Sequence, residues 1–163
     1  MLRHLGGVIH HAGMAGIGVM AIRILAGGAL SGSEDRSPLG VPKVEPIASG
    51  TSYAVDVQAA RRLLLLIEAG YAKDLVELAL RFSAMPRDIS TVLVGTASIA
   101  ELDHAVATIN QGPLPAEAIA MINQLQHGWD IKAAYVRFGW PAARHSAALG
   151  RFRPIISRSV LPG

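Results

Sequence analysis

The stretch Ser90-Thr91-Val92-Leu93-Val94-Gly95-Thr96-Ala97-Ser98, followed by Glu101 and Leu102, decides the fold class. It reads as a buried β-branched strand that stops at a glycine and passes directly into a helix. Such a junction aims main-chain N–H groups beyond the strand's C-terminal end. The positive end of the helix dipole points the same way, a setting that suits a phosphate or another anion. Upstream, Gly18-Val19-Met20-Ala21-Ile22-Arg23-Ile24 runs into Leu25-Ala26-Gly27-Gly28-Ala29-Leu30 in the same manner. Two strand ends that each open on a small-residue loop predict the phosphate-binding side of a (β/α) barrel.

Working outward, the first strand covers about 17–25 and is apolar throughout except for Arg23. That pattern predicts a parallel strand covered on both faces. A charge in such a strand needs a partner: Arg23 points to the barrel mouth and a cofactor, or pairs with an acid from another element. Between Ser31 and Ser52 lies a long loop punctuated by Pro38, Gly40, Pro42, Pro46 and Gly50, and a loop of that length is usually functional. Helix signals run from Ser52 to Ala69 and close at Gly70, a C′ residue. Asp74 opens a second helix in which Leu75, Leu78, Ala79 and Phe82 recur at helical spacing, and Pro86 halts it. After the second strand, Ser98 and Glu101 form a capping box for a helix that ends before Gly112-Pro113. A last helix runs from Leu114-Pro115 to about Leu125. The order predicts an α/β domain with parallel strands over 13–126, an unassigned segment at 1–12 and a basic, irregular tail at 127–163.

Composition narrows the class. With 163 residues, 51% hydrophobic and 17% charged, the chain carries one domain with a real core. The net charge of +3 is concentrated at the end, where Lys132, Arg137, Arg144, Arg151, Arg153 and Arg158 meet only Asp130. Those arginines lack helical spacing, so a solvated tail is expected and no nucleic-acid partner. The absence of cysteine excludes disulfides, thiolate metal sites and cysteine nucleophiles. The uncharged run from Gly13 to Ile22 is bounded by His10, His11 and Arg23, well short of the roughly 18–20 residues that span a bilayer. No membrane association and a cytoplasmic location are therefore expected.

Several features have plain readings. Gly13, Gly16 and Gly18 precede their strand, the wrong order for a dinucleotide fingerprint. His4, His10 and His11 have no acid at ligand spacing, so no metal site is expected. Asp103 and His104 are helix neighbours that do not face each other, and solvent exposure is expected for both. The run Leu63 to Ile67 is core, or a sticky patch if the barrel is incomplete.

Three segments carry a resemblance: GIGVMAIRILAGGALSG, then LVELALRFSAMPRDISTVLVGTASIAEL, then the INQGPLP linker. Together they make residues Gly16 to Leu125 resemble the C-terminal portion of an aldo/keto reductase, notably the bacterial branch acting on sugars and small aldehydes. The resemblance implies a partial (β/α)8 TIM barrel, with strands 7 and 8 and their helices. A complete barrel has eight strands and about 250 residues, so the chain is expected to be a fragment or to assemble through its open strand edges.

By the same resemblance, Ile24, Leu25, Ala26, Gly27 and Gly28 lie along the pyrophosphate of NAD or NADP. Gly95, Thr96, Ala97, Ser98 and Glu101 fall at the adenosine ribose. A carboxylate there accepts a ribose hydroxyl and repels a 2′-phosphate, which favours NAD. The family's adenine-contacting Glu-Asn pair falls on His104 and Ala105. The family's catalytic Asp, Tyr, Lys and His come from earlier strands, and no residue of this chain, Tyr53, Tyr71 and Tyr135 included, matches them. The expectation is therefore an oxidoreductase fragment that keeps cofactor-side residues but not the catalytic set. The alternatives are a non-catalytic nucleotide-binding module, completed by another copy or by a missing N-terminal half, and a partner-binding remnant.

Overall fold

The computed structural model describes residues 3–35, 37–39 and 51–127. The tail expected over 127–163 lies, beyond its first residue, outside the described residues. A first helix, α1 (Arg3–Met14), occupies the segment that carries no clear pattern in sequence. It is followed by strand β1 (Met20–Ala21), a run of tight 3-10-type turns over Ala26–Ser31, and helix α2 (Tyr53–Arg61). Then come α3 (Leu64–Glu68), α4 (Leu75–Ala84), strand β2 (Thr91–Val92), α5 (Ile99–Asn110) and α6 (Ala116–His127).

The helix boundaries follow from local chemistry. The side chains of Ser52, Asp74 and Ser98 each accept a hydrogen bond from the backbone N–H three residues on. Each thereby satisfies one of the donors a helix start leaves open. At the end of α3, Gly70 takes a left-handed φ of 79°. Its N–H donates to the Ile67 carbonyl and that of Tyr71 to the Leu66 carbonyl, the paired bonds of a Schellman stop. The single helix expected over 52–69 is in fact two, because the chain tightens into i→i+3 bonds at Arg62 and Leu63. After the break Leu66 is buried while Leu64 and Leu65 are exposed. The leucine run is thus part core and part surface.

β1 and β2 are parallel, with Met20 level with Thr91 and Ala21 level with Val92. The Val19 carbonyl accepts from the N–H groups of Ser90 and Thr91, and the Ala21 carbonyl from Leu93. Both strands are much shorter than their sequences predict. Arg23 has a φ of 57°, outside the extended region, so β1 ends two residues before it.

The strands are covered on one face only. Ala21, Val92 and Val94 pack with Ile24, Leu80 and Ala105 beneath α4 and α5. On the other side Met20, Ile22 and Leu93 are 58%, 60% and 57% exposed. The expected cover on both faces is therefore absent from the described residues. A second cluster joins α3, α4 and α6 through Leu66, Ala72, Leu75, Leu78, Leu114, Ala118 and Ile122. A third, of Ala26, Ala29 and Val57, holds α2 against the turns after β1. Among the described residues no helix is long and apolar enough to cross a membrane.

Candidate functional site

Parallel pairing fixes where the two small-residue turns stand. Neighbouring parallel strands end at the same edge, so the turn at Ile24–Gly28 and the turn at Gly95–Ser98 leave the same end of the sheet. Apolar contacts join them from below: Ile24 is buried in the cluster that also takes in Leu25 and Val94.

The first turn is tightly wound. Gly27 and Gly28 have φ values of 67° and 106°, conformations open to glycine. The N–H of Ala26 donates to the Arg23 carbonyl, and those of Gly28 and Leu30 donate to the Leu25 carbonyl. Two of the donors expected to face a ligand, on Ala26 and Gly28, are therefore committed to the chain itself. Behind the turn, Tyr53 at the start of α2 stands close to Gly28, so that a side chain there would press on its hydroxyl. A Cβ on Gly28 would lie 3.1 Å from its hydroxyl oxygen. That hydroxyl donates to the Ser33 carbonyl at 3.2 Å.

The second turn is open. Gly95, Thr96, Ala97 and Ser98 are exposed, and a Cβ on Gly95 would meet nothing within 4 Å. Ser98 caps α5 by accepting from the N–H of Glu101 at 3.2 Å. The reciprocal bond runs from Ala97 N–H to Glu101 Oε2 at 2.7 Å, one residue earlier than a standard capping box. Glu101 thus sets its carboxylate on one of the amides expected to face an anion.

Other sequence expectations change. Arg23 is not buried within a strand but exposed, so it needs no buried partner. His104 is half-buried rather than fully exposed, with Nε2 3.1 Å from Asp74 Oδ2. That nitrogen is buried beside the N-cap of α4 but makes no hydrogen bond among the described residues. Asp103 is exposed as expected. His10 lies 3.2 Å from Asp88. No group of three or more His, Cys, Asp or Glu among the described residues is arranged to hold a metal.

Two structural partners act mainly through contacts distant in sequence. One is Tyr53 behind Gly28. The other is Arg81, whose guanidinium reaches Glu77 Oε1 at 2.9 Å and the carbonyls of Tyr71, Gly112 and Pro113 at 3.3, 3.0 and 3.0 Å. Tyr53 reaches back 20 residues to Ser33, and Arg81 reaches its three carbonyls over 10 to 32 residues; only its pairing with Glu77, four residues away on α4, is a local pattern.

No curated protein and no solved structure matches the chain. The sequence profile described as the Aldo/keto reductase family matches residues 1–127. That match takes in α1 as well as the stretch from Gly16 onward. The family has a TIM-barrel fold and typically uses NAD(P)H, which accords with parallel strands, an outer layer of helices and turns gathered at one sheet end. Because the match covers most of the sequence, this chain belongs to the aldo/keto reductase family.

Proposed function

We propose that the described residues form the cofactor side of an NAD(P)-dependent oxidoreductase that interconverts carbonyl and alcohol groups on sugars or small aldehydes, and that NAD is its preferred cofactor. The observation that carries this reading is the parallel register of Met20 with Thr91 and Ala21 with Val92, which brings both turns to one edge. The residues present fit a dinucleotide with a neutral adenosine ribose. Ile24, Leu25, Ala26, Gly27 and Gly28 would border the pyrophosphate. Gly95, Thr96, Ala97, Ser98 and Glu101 would receive the ribose. When bound, the nicotinamide ring supplies or accepts the hydride.

Glu101 supports the choice of NAD. Its carboxylate is held in the turn by the Ala97 N–H, where it accepts a ribose hydroxyl and repels a phosphate dianion. We assign no proton donor among the described residues. Tyr53 donates to the Ser33 carbonyl, and Tyr71 packs against the cluster of α3, α4 and α6. The proton chemistry in this reading belongs to further β/α units that cover the open strand face, or to a second copy completing the barrel. A cytoplasmic setting is part of the same proposal.

Calorimetric titration of the protein with NAD and with NADP tests it. NAD is expected to bind at least about tenfold more tightly than NADP, as one unfavourable charge contact implies. Glu101→Gln narrows that gap and Glu101→Lys reverses it. No heat from either cofactor at millimolar concentration refutes the cofactor reading. Tighter NADP binding by the unaltered protein refutes the role of Glu101.

A further inference from the structure

We propose that Tyr53 is a positioning residue for the turn at Gly27–Gly28, and that it sets the shape in which this turn meets a dinucleotide. The proposal rests on the cofactor reading above. Tyr53 is half-buried and packs with Leu30 against Ala26, Ala29 and Val57, so its ring is fixed from below. Its hydroxyl lies where a Cβ on Gly28 would be almost in contact, at 3.1 Å, with ring atom Cζ at 4.0 Å. The same hydroxyl donates to the Ser33 carbonyl. One phenol therefore touches the turn at Gly28, whose φ of 106° suits glycine, and ties down the start of the loop that leaves it. Gly28 and Tyr53 act as a matched pair: the glycine has no side chain, and the hydroxyl fills the space.

This arrangement separates position from fold. Tyr53→Phe keeps the ring and its apolar packing and removes only the oxygen. The Phe variant is therefore expected to stay folded and to melt only about 1–6 °C lower, as loss of one neutral hydrogen bond implies. Amide hydrogen exchange at Gly27, Gly28 and Ala29 should quicken about threefold to tenfold, as loss of one neutral hydrogen bond implies. Exchange in α4 and α5 should stay unchanged. The affinity for NAD, measured by calorimetry, should fall at least about threefold on the same ground. Gly28→Ala adds a second test. It should weaken NAD binding more with Tyr53 present than in the Phe variant, where the close oxygen is gone.

A Phe variant with unaltered exchange at the turn and unaltered NAD affinity overturns the positioning role while leaving the cofactor reading standing. Equal effects of Gly28→Ala in the two backgrounds overturn the matched pair. Unaltered protein that binds neither NAD nor NADP removes the cofactor reading, and with it the purpose assigned to Tyr53.

Discussion

Replacing Arg81 by Met tests how α4 is anchored. Glu77 is 2% exposed, and the Arg81 side chain 11% exposed, so their contact at 2.9 Å is largely shielded from water. Beyond Glu77, the guanidinium serves three carbonyls on two turns, Tyr71 before α4 and Gly112-Pro113 after α5. Met fills a similar volume but donates nothing. The variant leaves a buried carboxylate without its cation, and Oε2 of Glu77 already has no partner among the described residues. Breaking a buried pair from one side costs about 3–5 kcal/mol, a large part of the roughly 5–15 kcal/mol that holds a domain together. The expected fall in melting temperature is about 6–20 °C, at about 2–4 °C per kcal/mol for a chain of this size.

Glu77→Leu should cost less, because Arg81 keeps its three carbonyls and some solvent. Glu77→Leu combined with Arg81→Met should cost clearly less than the two single effects added, since neither charge is left alone. Urea denaturation followed by circular dichroism measures all three. A cost for Arg81→Met below about 1 kcal/mol, the value of an exposed pair, or strict additivity in the double variant, refutes this account.

Three further outcomes are expected. Asp74→Ala removes the cap on Glu77 N–H, a 2.7 Å bond, together with the contact to His104; urea denaturation should show a loss of about 1–2 kcal/mol. Gly70→Ala and Gly32→Ala both force alanine to a positive φ, 79° and 76°, but only at Gly32 does the new Cβ press on a neighbour, Leu75 Cδ1 at 2.8 Å. Thermal melts should therefore rank Gly32→Ala as the more damaging, with Gly70→Ala near the roughly 1 kcal/mol of left-handed strain alone. Ile22→Gln and Leu93→Gln, on the open side of the strands, should each change the unfolding free energy of the chain by less than about 0.5 kcal/mol.

Those differences mirror what could be read from the residues. Caps at Ser52, Asp74 and Ser98 and the stop at Gly70 depend on three or four consecutive positions, so their chemistry is visible in a single window. The parallel relation of the strands follows as directly from a strand, helices and a strand in that order. Strand length was not legible, because an apolar run does not reveal the backbone turn at Arg23 that ends β1. The capping box at Ser98 was legible, but not that Glu101 would take the amide of Ala97 rather than leave it open. Of the candidate site, the placing of the two turns could be anticipated. The donors already spent within the Ile24–Leu30 segment, and the phenol behind Gly28, could not, since each depends on the third dimension.

The uneven cover of the strands connects fold and proposed function. Side chains alternate across a strand, and partners in a parallel pair point to the same side. Ala21 and Val92 therefore face α4 and α5 together, while Met20, Ile22 and Leu93 share the opposite side. A polar opposite side would fit a sheet finished by one layer of helices. An apolar one fits the inward side of a barrel, where residues from other strands fill the centre. The exposed side is apolar at Met20, Ile22 and Leu93, with Thr91 its polar member level with Met20, and it lies below the edge where both candidate cofactor turns emerge. On this geometry the surface that needs covering and the surface that would meet a nicotinamide are continuous. In the proposed reading, β/α units that completed the first would be placed to bring a proton donor to the second.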